Sequence, residues 1–205
     1  LDEAREQGQV ENAKFFEDLP DNVLDGVNPG TVKGSQFLKP LFEFSGACAG
    51  CGETPYVKLV SQLFGERMLA ANATGCSSIY GGTFPTIPYC KTKQGNGPSW
   101  GNSLFEDNAE YGMGMRLGVD NNRAQLKDNV NRLLELGVDA DLKAALEKGL
   151  ELWDNVEEEA LVSQRAISML LEAAKKDGDS EKDAVLRKVT ELKDYFVDKS
   201  LWIIG

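Results

Sequence analysis

A chain of 205 residues with 41% apolar and 27% charged side chains has the composition of one ordinary globular domain. Its 33 acidic side chains outnumber the 22 basic ones, and the net charge of −11 argues against the basic surface that nucleic-acid binding needs. No stretch approaches the roughly 18 apolar residues of a membrane span, and the start of the chain is polar, unlike a signal peptide. We therefore expect a cytoplasmic protein that binds neither nucleic acid nor membranes.

Residues 1–40 are rich in turn-forming proline, glycine, asparagine and aspartate. This composition predicts a linker or wrapping arm, with one short helix near residues 9–18. The chain begins at a leucine rather than a methionine, which suggests that it is part of a longer protein.

The next predicted elements are a helix and a strand. Thr54 is the expected N-cap and Pro55 the first residue of a helix that runs to about Phe64 and is ended by Gly65. The apolar run from Met68 to Ala71 predicts a short buried strand, which breaks at the turn Thr74-Gly75-Cys76. A strand end of this kind is where α/β folds bind ligands.

The second half of the chain reads as a loop followed by helices. Residues 80–103 are rich in glycine and proline and predict a long loop. Apolar residues at helical spacing then predict a helix that stops at Gly137, one or two amphipathic helices from Asp141 to Lys176, and a last helix from Asp179-Ser180 to about Lys199. The apolar run 201–205, "LWIIG", is typical of a central parallel strand buried on both faces.

The cysteine spacing carries most of the chemistry. The chain has no histidine, which excludes histidine-based nucleophilic sites and histidine ligands for zinc. Cys48 and Cys51 lie three apart before a helix, and Cys76 follows on a later turn. Thiolates at this spacing are compatible with a metal or iron–sulfur centre, with a thioredoxin-like redox pair, or with inert cysteines, and spacing alone leaves all three open.

Two longer strings go further than the spacing does. "FEFSGACAGCGETPYVKLVSQLFGERMLAANATGCSSIYGG" and "GNGPSWGNSLFEDNAEYGMGM" closely resemble the thiamine-diphosphate domain of the pyruvate:ferredoxin (flavodoxin) oxidoreductases. The resemblance covers about residues 34–205. It implies an α/β fold: a partial thiamine-diphosphate-binding fold, with a parallel sheet and flanking helices, over 41–205 and a large helical insertion over about 116–199.

The resemblance also implies a site. Cys48, Cys51 and Cys76 correspond to three ligands of a [4Fe–4S] cluster, and Glu53 corresponds to a thiamine diphosphate contact. Cys76 would touch the thiamine as well as the cluster. Cys90 falls where the family places no ligand, and we expect it to be a bystander. No catalytic residue is predicted within the chain.

The implied parent enzyme decarboxylates pyruvate oxidatively with coenzyme A, releases acetyl-CoA and CO2, and passes electrons to ferredoxin or flavodoxin. The family's magnesium-binding turn would follow residue 205, and the fourth cluster cysteine lies elsewhere in the parent. We therefore expect a fragment that is inactive alone, from a parent enzyme that is a homodimer. The alternative hypothesis is a non-enzymatic zinc-binding interaction module, with Cys90 as fourth ligand and the acidic helices as its partner surface.

Overall fold

A computed structural model describes residues 2–174, 178 and 180–205. The helices of these residues are α1 (Asp2–Glu6), α2 (Gln9–Asp18), α3 (Val32–Ser35), α4 (Thr54–Phe64), α5 (Cys76–Gly82), α6 (Asn108–Leu136), α7 (Ala140–Glu151), α8 (Glu158–Ala173) and α9 (Ser180–Glu191). The strands are β1 (Met68–Ala73), β2 (Ser99–Ser103) and β3 (Ser200–Ile204). The chain forms two compact units: unit 1 comprises Leu1–Glu66 and Pro88–Gly97, and unit 2 comprises Arg67–Ile87 and Pro98–Gly205.

Unit 2 contains a three-stranded parallel sheet in the order β2-β1-β3. The central strand, β1, is apolar and almost completely buried, as its sequence predicts. Helix α6 packs closely on this sheet because it has Gly112 at the contact: a Cβ there would lie 2.9 Å from the side chain of Ile203. The predicted α/β class, with a parallel sheet, flanking helices and a large helical segment, is confirmed.

A second apolar core of unit 2 lies among α6, α7, α8 and α9. Its fully or nearly fully buried members recur at helical spacing, as in the sequence pattern; they are Leu126, Val130, Leu133, Leu142, Leu146, Ile167, Leu171 and Val189. Asp139 caps α7 by accepting a hydrogen bond from the backbone N–H of Leu142 at 2.9 Å. Helix α6 ends at Gly137, which has a φ of 84°, as predicted.

A buried arginine fastens α6 to the segments around it. The Arg123 guanidinium donates to the backbone carbonyls of Tyr195 at 2.9 Å, Phe196 at 3.3 Å and Trp153 at 2.6 Å. It also lies over the Trp153 ring, 4.3 Å from the ring centroid. Burial lowers the pKa of Arg123, and the carboxylate of Asp198 opposes that effect. One side chain thereby links α6, the end of α7 and the segment that leads into β3.

Unit 1 contains α2 and α4, both of which the sequence predicts. The predicted helix near 9–18 is confirmed as α2, but the N-cap of α4 is Glu53, so the assignment of Thr54 as N-cap was wrong. The Thr54 hydroxyl instead accepts a hydrogen bond from the Ser45 hydroxyl at 3.0 Å, and it is therefore engaged outside the helix end. An isolated antiparallel bridge between Phe42 and Tyr89 joins the two stretches of this unit.

The predicted long loop over 80–103 was wrong at both ends. Helix α5 continues to Gly82, and the last five residues of the range form β2. The sequence "SWGNS" is polar and has a glycine, so it lacks the composition of a strand. This segment forms a strand because the backbone of β1 lies beside it and pairs with it. The glycine at 101 is required by packing, since a Cβ there would lie 2.3 Å from the Tyr111 hydroxyl.

Two expectations about the end of the chain also need correction. The last helix ends at Glu191 and not near Lys199, since a short 3-10 turn, Lys193–Tyr195, intervenes before the strand. Strand β3 is an outer strand among the described residues and not a central one, and Ile203 is 56% exposed. The predicted helix boundaries at Lys176 and Asp179 lie outside the described residues.

The division at residue 40 and the insertion over 116–199 stay predictions. No helix of the described ranges combines the length and the apolar character needed to cross a bilayer.

Candidate functional site

The first part of the candidate site is a cysteine turn in unit 1. The backbone N–H of Cys51 donates to the carbonyl of Cys48 at 3.0 Å, which closes the turn. Gly50 lies within it at a φ of 77°, a conformation that glycine adopts without strain. Both thiols are free; Cys48 is exposed and Cys51 half-buried. The turn therefore holds two thiols at the spacing of a chelate.

The start of α4 favours the thiolate of Cys51. Backbone hydrogen bonds from Thr54 and then from Glu53 lower the pKa of the Cys51 thiol, against smaller opposing effects of burial and of the Glu53 charge. Cys90, also in unit 1, differs: burial and then the Glu43 carboxylate raise its pKa to about 11. Its sulfur lies 3.9 Å from the carbonyl oxygen of Pro40. Of these two thiols, only Cys51 has surroundings that favour the thiolate, which is the form that binds metals.

We expect iodoacetamide to alkylate Cys51 well before Cys90 in the metal-free chain. The thiolate is the reacting species, so the rate at Cys51 should reach half its maximum below the ordinary thiol pKa, while the rate at Cys90 should still rise toward pH 11. Peptide mass spectrometry across a pH series measures both rates in one sample. Equal pH midpoints at the two cysteines would contradict the assignment.

The third thiol belongs to unit 2. Cys76 begins α5, directly after the turn that leaves β1, and it is free and exposed. The Ser78 hydroxyl accepts from the backbone N–H of Gly75 at 2.9 Å and donates to the Gly75 carbonyl at 2.6 Å. These two bonds hold the first turn of α5, at which Cys76 lies.

A network of side-chain amides and hydroxyls lies at the carboxyl ends of the strands in unit 2. Asn102 Nδ2 donates to Thr74 Oγ1 at 2.8 Å and to the carbonyl of Ser103 at 3.0 Å. The Thr74 hydroxyl donates to the same carbonyl at 2.8 Å. Asn72, which is fully buried on β1, donates to Asn102 Oδ1 at 3.2 Å.

The network continues to the third strand. The Ser103 hydroxyl donates to Asn108 Oδ1 at 2.9 Å, and Asn108 Nδ2 donates to the carbonyls of Ala71 at 3.2 Å and Ile204 at 3.5 Å. All three strand ends are thus tied together at the sheet edge where α/β domains bind ligands. Sequence analysis missed these asparagines, although their positions inside the strings that carry the family resemblance were a usable signal.

Glu53, the predicted thiamine contact, is the half-buried N-cap residue of α4. Burial, and to a smaller extent the negative charge of Glu53, raises the pKa of Tyr89 to about 12. Tyr89 is therefore a neutral phenol at physiological pH, within the field of this carboxylate. No motif in the sequence pointed to it.

The residues present suit an iron–sulfur cluster and a polar cofactor in their chemistry. Thiolates are the ligands of such clusters, and a thiol with a lowered pKa loses its proton more readily on binding. Within the described part of either unit, no three cysteine, aspartate or glutamate side chains are grouped so as to hold a metal ion. At the sheet edge, the buried Asn72 Oδ1 has no hydrogen-bond partner among the described residues, which fits a donor group from a ligand.

Proteins similar to this chain carry the names of enzymes that act on pyruvate. It is 51% identical over 194 residues, 95% of its length, to a pyruvate:ferredoxin oxidoreductase of Moorella thermoacetica, and 48% identical over 198 residues to a pyruvate-flavodoxin oxidoreductase of Rhodospirillum rubrum, also with 95% covered. It is 46% identical over 176 residues, 85% of its length, to a mitochondrial pyruvate dehydrogenase [NADP(+)] of Euglena gracilis. No sequence profile of a protein family matches it.

These similarities place the chain among segments of 2-oxo acid oxidoreductases. The chain spans 16% of the length of the first two relatives and 9% of the third. It corresponds to a fragment of the pyruvate:ferredoxin (flavodoxin) oxidoreductase family, as its strings implied. The alternative of a zinc-binding interaction module finds no support in these relatives.

Proposed function

We propose that this chain is the segment of a pyruvate:ferredoxin or pyruvate-flavodoxin oxidoreductase that supplies three ligands of a [4Fe–4S] cluster and part of a thiamine diphosphate site. The observation that carries the proposal is the identity of 51% and 48% with two such enzymes over 95% of the chain. The whole enzyme converts pyruvate and coenzyme A into acetyl-CoA and CO2, with release of two electrons and a proton. The electrons pass to ferredoxin or flavodoxin.

The cluster ligands are Cys48, Cys51 and Cys76. The closed turn between the first two holds a chelating pair, and the N–H groups at the start of α4 favour the Cys51 thiolate. Cys76 is exposed at the start of α5, so it is accessible to an inorganic ligand. The fourth ligand comes from the remainder of the enzyme. Cys90 is disfavoured as a ligand, because burial and Glu43 raise the pKa of its thiol to about 11.

Glu53 contributes the cofactor contact. A carboxylate accepts hydrogen bonds, and thiamine diphosphate has an amino group that donates them. Thiamine diphosphate supplies the carbanion chemistry of the reaction when it is bound. Glu53 is half-buried, and the nearby Tyr89, whose pKa is raised to about 12, supplies a neutral phenol beside it. Magnesium is held by residues outside this chain.

The choice of electron acceptor lies outside the segment. The relative from Euglena gracilis carries NADP(+) in its name and yet is 46% identical over most of this chain. A segment shared by enzymes with different named acceptors serves the common part of the reaction, which is the oxidation of pyruvate. The remainder of the enzyme, as a homodimer, supplies the acceptor site and the coenzyme A site.

The test is anaerobic purification of the full-length enzyme that contains this segment. We expect reduction of ferredoxin or flavodoxin that requires both pyruvate and coenzyme A, and no reduction by the isolated 205-residue chain. Isothermal titration of the isolated chain with magnesium and thiamine diphosphate should show no micromolar binding. A full-length enzyme that contains zinc and no iron, or an active isolated chain, would overturn the proposal.

A further inference from the structure

We propose that Thr74, held by Asn102, is a positioning residue for Cys76: its hydroxyl fixes the turn that presents this thiol to the cluster. The inference rests on the proposed function, because it takes Cys76 to be a cluster ligand. It assigns a role to two polar residues whose sequence positions alone gave no function.

Hydrogen bonds, not packing, hold the turn. Thr74, Gly75 and Cys76 are all exposed, and a Cβ on Gly75 would meet no atom within 4 Å. Thr74 is nevertheless attached twice to the end of β2, because its backbone N–H donates to the carbonyl of Ser103 at 3.0 Å and its hydroxyl donates to the same oxygen at 2.8 Å. Gly75, which follows, is held by the Ser78 hydroxyl, so the attachment at Thr74 and the bonds to Ser78 together limit where Cys76 lies.

Asn102 orients the Thr74 hydroxyl so that it donates its hydrogen to the Ser103 carbonyl. Its Nδ2 donates to Thr74 Oγ1 at 2.8 Å, which leaves the hydroxyl hydrogen for the Ser103 carbonyl. The amide of Asn102 is in turn oriented by Asn72, whose Nδ2 donates to Asn102 Oδ1 at 3.2 Å. Since Asn72 is fully buried, the chain of bonds runs from the rigid interior of β1 to the exposed turn.

The Thr74 hydroxyl is not needed to hold the sheet together, so its role in positioning Cys76 can be tested separately from the fold. The strands are already paired by backbone hydrogen bonds along β1, so the sheet does not need the Thr74 hydroxyl. Groups that orient a metal ligand control how firmly the metal centre is held, and their loss typically costs about 10- to 100-fold in metal affinity or activity. The proposal therefore predicts a change at the cluster without a loss of the fold.

The experiment compares four variants of the full-length enzyme, one of which, Cys76→Ala, identifies the cluster that Cys76 ligates. Thr74→Val removes the hydroxyl and keeps the shape, and Thr74→Ser restores the hydroxyl. Thr86→Val is the matched control, because Thr86 is also an exposed threonine of unit 2 and its hydroxyl donates only to the nearby carbonyl of Thr83, at 3.2 Å. Two quantities are measured. The first is amide hydrogen exchange over residues 74–82. The second is the rate at which an iron chelator bleaches the absorption of the cluster that Cys76 ligates, identified as the absorption that is lost in Cys76→Ala.

We expect Thr74→Val to raise the exchange rate in the turn about fivefold, as for the loss of one hydrogen bond, and to speed bleaching about tenfold. The serine variant and Thr86→Val should behave like the wild type. Unchanged exchange and unchanged bleaching in Thr74→Val would overturn the inference, as would failure of serine to restore both. If Cys76→Ala removes no cluster, the proposed function fails, and the exchange readout still shows whether Thr74 holds the turn.

Discussion

If Cys76 is a cluster ligand as proposed, we expect its replacement by alanine in the full-length enzyme to remove about four iron atoms per chain and to lower pyruvate-dependent electron transfer more than about 100-fold. The physical reason is the loss of one thiolate ligand, since a cluster with an open coordination position is released or rebuilt. Cys76 is exposed and makes no buried contact that alanine would leave empty, so the fold should persist. Iron analysis, the visible absorption spectrum and the assay with pyruvate and coenzyme A measure the effect.

The matched control is Cys90→Ala. Cys90 is half-buried in unit 1, and burial together with Glu43 raises the pKa of its thiol to about 11. Its replacement should leave the iron content and the activity unchanged. Iron loss in the Cys90 variant, with full iron in the Cys76 variant, would contradict the ligand set.

We expect replacement of Arg123 by alanine to lower the free energy of unfolding by about 3 to 5 kcal/mol, because three buried or part-buried backbone carbonyls lose a charged donor at once. Lysine at this position should recover only part of the loss, since an ammonium group lacks the planar fork that reaches several carbonyls. Urea titration followed by tryptophan fluorescence measures the change.

Arg132→Ala on the same helix is the control for charge. Arg132 is an exposed residue that forms ion pairs with Glu135 and Glu181, and exposed pairs contribute little to stability. Its removal should therefore cost much less than that of Arg123. Equal effects of the two alanine variants would show that Arg123 acts only through its charge.

The sequence predicted those helix ends and strands that are determined by neighbouring residues in the chain. The proline beside Thr54 and the glycines at 65 and 137 placed helix ends, and the apolar run of β1 predicted a buried strand. The exact N-cap of α4 was missed by one residue, because Thr54 finds a partner nine residues earlier, in Ser45. Whether a threonine caps a helix depends on whether its hydroxyl is bonded to another residue, and the local sequence does not show this.

Features that depend on distant residues were not predicted. Strand β2 is polar and contains Gly101, and it exists because β1 offers it a row of backbone partners. The network around Asn102 joins residues that are about thirty apart in sequence, such as Thr74 and Asn102. The family strings, and not the spacing, indicated the roles of Cys48, Cys51, Cys76 and Glu53, and these roles stay predictions.

The outer position of β3 has a practical consequence for work on the isolated segment. The strand "SLWII" carries no charge, and no described strand covers its outer edge. An uncharged, apolar edge strand is a template for pairing with a second copy, which leads to self-association at high concentration.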